Sequence, residues 1–418
     1  MHRRVALSLL GTIFVAMLAV AGAQSRSSAG TINIGWSGDK SGPTVASQGP
    51  ALDGLRTYIK MVNDAGGIKG QKINLIEQDD AYNVAKEVGI VKGFINDDHV
   101  VLVTGIGNSS GFSSVLPLLN DSKTPALVNQ GTLKTNTYPF QPYMFQGNCN
   151  YGDQAEVALA YTMARAKIKS LKGVKVGIAG ISVASGQEWI DTLKAKVEAA
   201  GGIAVTQTLP AAIVNADVAA QAFQDAGVKM ILVHHSIAGG IAMERSIAKY
   251  GINVPVSGSY GVTQDLLWTT APYDATKNFV GTNCYTPLVD SKSAQGKLAA
   301  AMGAKYGVSD TSLAQTNYVL GWTNGAIITQ ALKNIKGDVT PASMKKGLES
   351  IKNLNNGDLS PVINLTPKCH MAIQQVRPMD YSYNLKKQIP VGSYAQWSKY
   401  ITNTQAAPGT CGKPRGSK

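Results

Sequence analysis

A chain of 418 residues, 44% hydrophobic and 7% aromatic with 44 glycines, is long enough for two globular domains that each bury a core. Its formal charge of +13 is scattered rather than blocked, and it is not interleaved with aromatic residues. That pattern argues against nucleic acid as a partner and describes a solvated basic surface, with at most a mild bias toward anionic solutes.

Residues 1–23 differ in kind from the rest. His2, Arg3 and Arg4 precede an uncharged run from Val5 to Val20, and Ala21-Gly22-Ala23 offers small residues for cleavage. The segment reads as a secretory signal peptide, which places the mature chain in the periplasm of a bacterium. No cysteine follows the run to carry a lipid. In that oxidising compartment the four cysteines, Cys149, Cys284, Cys369 and Cys411, favour disulfides, and three pairings remain open. None forms a Cys-x-x-Cys pair, and His99, His234, His235 and His370 do not fall at zinc-ligand intervals around them, so no metal site is expected.

Short apolar strands then alternate with helical patterns. TINIGW (31–36), KINLIE (72–77), VVLVTG (100–105) and PALV (125–128) are the first series. Leu52, Leu55, Ile59 and Val62 recur at helical spacing between its first two strands, and that helix stops at Gly66-Gly67. VKVGIAG (174–180), GIAVTQT (202–208), VKMILV (228–233) and VPVSG (254–258) repeat the order. Ala65-Gly66-Gly67-Ile68 and Ala200-Gly201-Gly202-Ile203 end the first helix of each series, so two similar lobes are expected. Nearly apolar strands separated by helices make each an α/β, doubly wound parallel sheet. Helical stretches near 292–306, 312–334 and 341–350 follow FVGTNCYTPL (279–288) and return to complete the first lobe.

The stretch from Gly107 to Gly111, GNSSG, admits three readings. As a hydrolase elbow it would make Ser109 a nucleophile, but His234-His235 lies in the other lobe and no oxyanion-hole loop is recognisable. As a dinucleotide or phosphate loop it has the wrong glycine spacing and lacks Gly-Lys-Ser/Thr. As the start of a helix after a parallel strand it exposes N–H groups and the hydroxyls of Ser109 and Ser110, a setting that holds a carboxylate.

Ser41-Gly42-Pro43 after the first strand, NDAGGIKG from Asn63 to Gly70, and Asp79-Asp80-Ala81 after the second strand carry a resemblance. Together they resemble the first lobe of the periplasmic leucine/isoleucine/valine-binding proteins, solute receptors of one class of ABC importers, and the likeness extends at decreasing strength to about residue 365. The resemblance implies a type I periplasmic binding fold: residues 31–147 with 286–367 as lobe 1, 150–282 with 371–401 as lobe 2, three crossovers as a hinge, and 402–418 as a polar tail. It implies a small-molecule ligand in the interlobe cleft, an inner-membrane ABC permease as partner, a monomer, no cofactor and no catalysis. A secreted hydrolase using Ser109 and a ligand-sensing receptor of the same fold are the rival readings.

Carried over by position, Ser109 and Ser110 hold the ligand carboxylate, and Gln130 and Thr132 of VNQGT supply a carbonyl and a hydroxyl. In the second lobe the family's aromatic positions are occupied here by Ser185 and Ser236, and Tyr260 stands where its amino-acid binders place an acid for the ligand ammonium. An ammonium closed in without a counter-charge costs several kcal/mol. The expected ligand is therefore a small organic or aromatic acid, or an amide, with Tyr260 and Trp36 as stacking or hydroxyl partners, unless Asp153, Glu188 or Asp265 replaces the missing charge. The same comparison puts Cys149, Cys284 and Cys369 near the three crossovers, which implies Cys149 with Cys284 and Cys369 with Cys411.

Overall fold

The computed structural model describes residues 30–129 and 140–402. The expected signal peptide, Gln130, Thr132 and Cys411 lie outside the described residues.

The first series folds as β1 (Ile32–Gly38), α1 (Val45–Asp64), β2 (Ile73–Asp79), α2 (Val84–Asn96), β3 (Leu102–Gly105), α3 (Ser109–Ser122), β4 (Ala126–Val128) and β5 (Met144–Gln146). Its sheet runs β2-β1-β3-β4-β5 with every pair parallel. The apolar residues of β1, β3 and β4 are buried, as strands covered on both faces require.

The second series is α4 (Tyr151–Arg165), β6 (Lys175–Ile181), α5 (Ala184–Ala199), β7 (Ile203–Leu209), α6 (Asp217–Ala226), β8 (Met230–His234), α7 (Ile237–Lys249), β9 (Val256–Gly258), α8 (Asp265–Thr270), α9 (Tyr273–Thr276) and β10 (Phe279–Asn283). The repeat extends to register. Ile32 through Gly38 pair with Ile73 through Asp79, and Lys175 through Ile181 pair with Ile203 through Leu209, seven residues in each case.

The chain then returns to the first lobe as α10 (Ala294–Lys305), α11 (Asp310–Leu313), α12 (Thr316–Asn334) and α13 (Pro341–Glu349). Helix α12 lies across α1 at a glycine contact. A Cβ on Gly54 would stand 2.0 Å from the Tyr318 carbonyl oxygen, and one on Gly321 1.8 Å from that of Ala51. Finally β11 (Arg377–Ser382), β12 (Lys387–Pro390) and α14 (Tyr394–Ser398) rejoin the second lobe, whose sheet runs β12-β11-β10-β9-β8-β6-β7. Strands β11 and β12 are antiparallel, so this sheet is parallel only from β10 to β7.

Three passages join the lobes. The first and third are adjacent: Gln146 N–H donates to His370 O and Ala372 N–H to Gln146 O, both at 2.9 Å. A disulfide joins the first and second, Cys149 to Cys284, with their Cα atoms 6.3 Å apart. Cys369 is disulfide-bonded as well, and Cys411, its expected partner, is outside the described residues. Among the described residues no helix is long and apolar enough to cross a membrane.

Candidate functional site

The loops at the carboxyl ends of the strands face each other between the lobes, where open α/β sheets place their ligands. In the first lobe Asp39 organises the turn into α1. Its Oδ1 accepts the Ser41 and Gly42 N–H groups, and its Oδ2 accepts the N–H and hydroxyl of Thr44 at 2.6 and 2.7 Å. The Ser41-Gly42-Pro43 stretch is thus folded round a buried carboxylate. Asp79 holds the next loop, accepting from Lys40 N–H, Ala81 N–H and the Ser41 hydroxyl. Burial pushes its carboxyl up, but these donors outweigh burial and hold it at about 2. Ala81 and Tyr82 both take left-handed backbone, φ 49° and 60°, and Asn108 Nδ2 fixes the Tyr82 carbonyl at 2.9 Å.

The GNSSG loop is shaped by the same need for close approach. Gly105 has φ 88°, and a Cβ there would stand 2.2 Å from the Ser37 carbonyl oxygen. Asn108, rather than a serine, caps α3, accepting from Ser110 and Gly111 N–H at 3.0 and 3.1 Å. The two serine hydroxyls are therefore left to face the second lobe. Ser109 Oγ accepts the Ser185 N–H at 2.9 Å and Ser110 Oγ the Ala184 N–H at 3.0 Å, both at the start of α5. Ser47 Oγ accepts the first N–H of α7, from Ile237, at 3.4 Å. Hydroxyls of one lobe thus satisfy orphan donors of helices in the other, and the cleft is shut.

Behind these contacts lies a cavity of about 30 Å³, which has room for about one or two water molecules. Thr44, Ser47, Tyr82 and Gly107 line it from the first lobe; Tyr151, Ser185, His234, His235, Ser236 and Tyr260 are among its residues from the second. Among the described residues no Asp, Glu, Lys or Arg lines it. His234 is bonded to Ser259 Oγ through Nδ1 at 2.8 Å and to Ser185 Oγ through Nε2 at 2.9 Å. His235 Nε2 donates to the Pro210 carbonyl at 3.0 Å, which leaves Nδ1 to accept the Ser236 N–H at 2.9 Å. Burial, reinforced for His234 by its neighbour His235, lowers the two imidazoles to about 3 and about 4, so both are neutral.

Tyr260 is set rigidly. Gln154 Oε1 accepts its N–H at 2.9 Å and Gln264 Nε2 donates to its carbonyl at 2.6 Å, while Gln264 Oε1 accepts from Thr316 at the start of α12. Its ring stacks on that of Tyr151 at 6.0 Å, and its hydroxyl lies beside the Tyr151 hydroxyl. Burial raises the Tyr82, Tyr151 and Tyr260 phenols well above their ordinary range, so all three keep their protons.

Of the sequence-derived site residues, Ser185, Ser236 and Tyr260 come together on the cavity wall. Ser109 and Ser110 stand beside it in the interlobe contact. Trp36 is buried in the first lobe's core and is not part of the wall. Asp153, Glu188 and Asp265 do not reach the wall either. Glu188 accepts the Gly152 N–H at 3.1 Å. Sequence reasoning missed Thr44, Ser47, Tyr82, Tyr151 and both histidines. One signal was available for most of them, since Thr44, Tyr82 and the histidines lie at or just beyond the carboxyl end of a strand.

The sequence model of the family described as "Periplasmic binding protein" matches residues 31–384. The chain belongs to this family. Among curated relatives, this periplasmic binding protein is 25% identical over 262 residues to the "Leu/Ile/Val-binding protein homolog 3" of Brucella melitensis, covering 59% of this chain and 69% of that one. Solved structures share its fold at lower identity. A branched-chain amino acid ABC transporter protein from Thermus thermophilus with bound valine has a TM-score of 0.77 at 18% identity, covering 88% of this chain and 98% of the other. A solute-binding protein from R. palustris in complex with 4-hydroxybenzoate has a TM-score of 0.73 at 19% identity, covering 87% and 96%. Among the described residues His234 is bonded to Ser185 and Ser259, not to Ser109 and a carboxylate.

Proposed function

We propose that this protein is the periplasmic solute receptor of an ABC importer, that it acts as a monomer handing its load to a membrane permease, and that its ligand is a small organic acid without an ammonium group. The observation that carries the ligand class is the charge character of the cavity wall. The N-termini of α1, α5 and α7 open onto it with Thr44, Ser47, Ser185 and Ser236, and three protonated phenols add O–H donors. Helix N-termini and neutral donors favour a carboxylate, each bond to the charged group contributing about 1.5 to 3 kcal/mol. Among the described residues the wall holds no carboxylate to receive an ammonium, and the tyrosine faces suit a flat or apolar body. The valine-bound and 4-hydroxybenzoate-bound relatives have the same fold, so the fold leaves this choice to the lining.

The shut cleft sets the order of events. A solute larger than water enters only when the serine contacts to α5 and α7 part, and its carboxylate then takes the Ser185 and Ala184 N–H groups that Ser109 and Ser110 now occupy. The serine hydroxyls turn to donate to the same carboxylate, and closure restores the interlobe contact through the ligand. A thermal-shift series with benzoate, 4-hydroxybenzoate, butyrate, benzamide, leucine and valine tests this reading. The aromatic acids at about 100 times their dissociation constant are expected to stabilise the protein by roughly 2.7 kcal/mol. Ser109→Ala together with Ser110→Ala is expected to weaken that binding about tenfold or more. Stabilisation by leucine and valine alone would overturn the assignment.

A further inference from the structure

A second cavity, of about 560 Å³, lies away from the cleft beside the second and third passages between the lobes. One side is made by segments that lead back to the first lobe, with Lys292, Asp290 and Asp358. The other is made by β11, β12 and α14 of the second, with Arg377, Lys387 and Tyr394. Three cations therefore face two carboxylates, each of which already has a protein partner, although Asp290 Oδ2 is buried with none. Asp290 pairs with Lys387 at 2.8 Å across the lobes. Asp358 accepts from the Ser291 hydroxyl and from the Lys292 N–H at 2.8 Å, donors that hold its carboxyl below the ordinary range against the burial that raises it.

Arg377 and the ammonium of Lys292 have no carboxylate partner among the described residues. The Arg377 guanidinium lies 4.4 Å over the Tyr394 ring and gives one N–H to Thr286 Oγ1 at 2.9 Å, while its Nε is buried with no hydrogen-bond partner. A half-buried guanidinium with donors unspent is matched by the paired oxygens of a carboxylate or phosphate. The remaining wall, with Pro361, Val362, Ile389 and Pro390, is apolar.

We propose that this interlobe cavity is a second binding site, for a small organic oxyanion whose head pairs with Arg377 and Lys292 and whose body rests on the apolar wall. An occupant touches both lobes, so its binding and theirs are coupled.

Phenylglyoxal modification of the full mature chain, with each arginine followed by peptide mass spectrometry, tests the site locally and independently of the cleft. Inorganic phosphate, acetate and butyrate are compared at constant ionic strength against chloride, with exposed Arg245 as the internal control. Arg377 is expected to be protected while Arg245 is not. Phosphate acting at lower concentration than the carboxylates identifies a phosphate head, and butyrate ahead of acetate and phosphate identifies a carboxylate with an apolar tail. Lys292→Gln, at an exposed position that does not bear on folding, is expected to raise the protecting concentration roughly threefold. Modification of Arg377 at one rate in every salt, or equal slowing of Arg377 and Arg245, would overturn the proposal, whatever ligand the cleft takes.

Discussion

Asp265 shows how single side chains set the conditions under which the fold is stable. It opens α8, is buried, and has the Asp290 charge nearby; burial first and that charge second raise its carboxyl to about 6, against partial relief from Gln388. Between about pH 4 and pH 6 the folded chain holds a proton that the unfolded chain has released, so this group's contribution to stability falls as pH rises through that window and stays low above it. Asp265→Asn is therefore expected to stabilise the protein at pH 7 by about 1 to 3 kcal/mol and to leave it little changed at pH 4. Urea unfolding of both proteins at the two pH values checks this, and equal differences at both would contradict the burial argument. The cavity histidines behave differently at this scale. Held neutral to about 3 and about 4, they contribute no titrating charge to the wall above pH 5.

At the scale of elements, the crossing of α1 and α12 depends on two missing side chains. Gly321→Ala would drive a methyl group into the Ala51 carbonyl oxygen, an atom that cannot swing aside, and the helices would have to separate. A loss of about 1 to 3 kcal/mol is expected, measured by chemical unfolding. Gly49→Ala, in α1 with open space around it, is expected to be neutral or stabilising by up to about 1 kcal/mol. The contrast marks what was legible in the sequence. Periodicity located α1 and the strands of both series, because burial on both faces leaves a continuous apolar run. It was silent on β11 and β12, whose residues RPMDYS and KQIP are short and polar and contain Pro378 and Pro390. Only β12 is at the sheet edge, where proline is tolerated, and in neither short strand does the apolar pattern of a core strand develop. Ser185, Ser236 and Tyr260, singled out by position in the strand order, lie on the cavity wall. Trp36 was misjudged because a strand residue's face is set by the register of its neighbours, and this one points into the core. Tyr82 and Tyr151 were missed because loop direction depends on contacts such as Asn108 to Tyr82, which are distant in the chain.

On the scale of the whole molecule, most of the second lobe is an insertion: the chain leaves the first lobe after β5, builds β6 to β10, and returns, before β11, β12 and α14 rejoin the second lobe. The Cys149–Cys284 bond closes the neck of that insertion, tying positions 135 residues apart. Loop closure of that length is expected to contribute about 2 to 5 kcal/mol, so the Cys149→Ala, Cys284→Ala double variant should unfold at correspondingly lower denaturant. The bond also turns everything between the two cysteines into a covalent ring. Val214, 94% exposed in the loop before α6, lies on that ring. A single proteolytic cut there opens a circle instead of severing a line, so the nicked protein should migrate as one species without reductant and as two fragments with it. A periplasmic protease that reaches this loop would thus leave both lobes, and the cleft between them, held on one covalent frame.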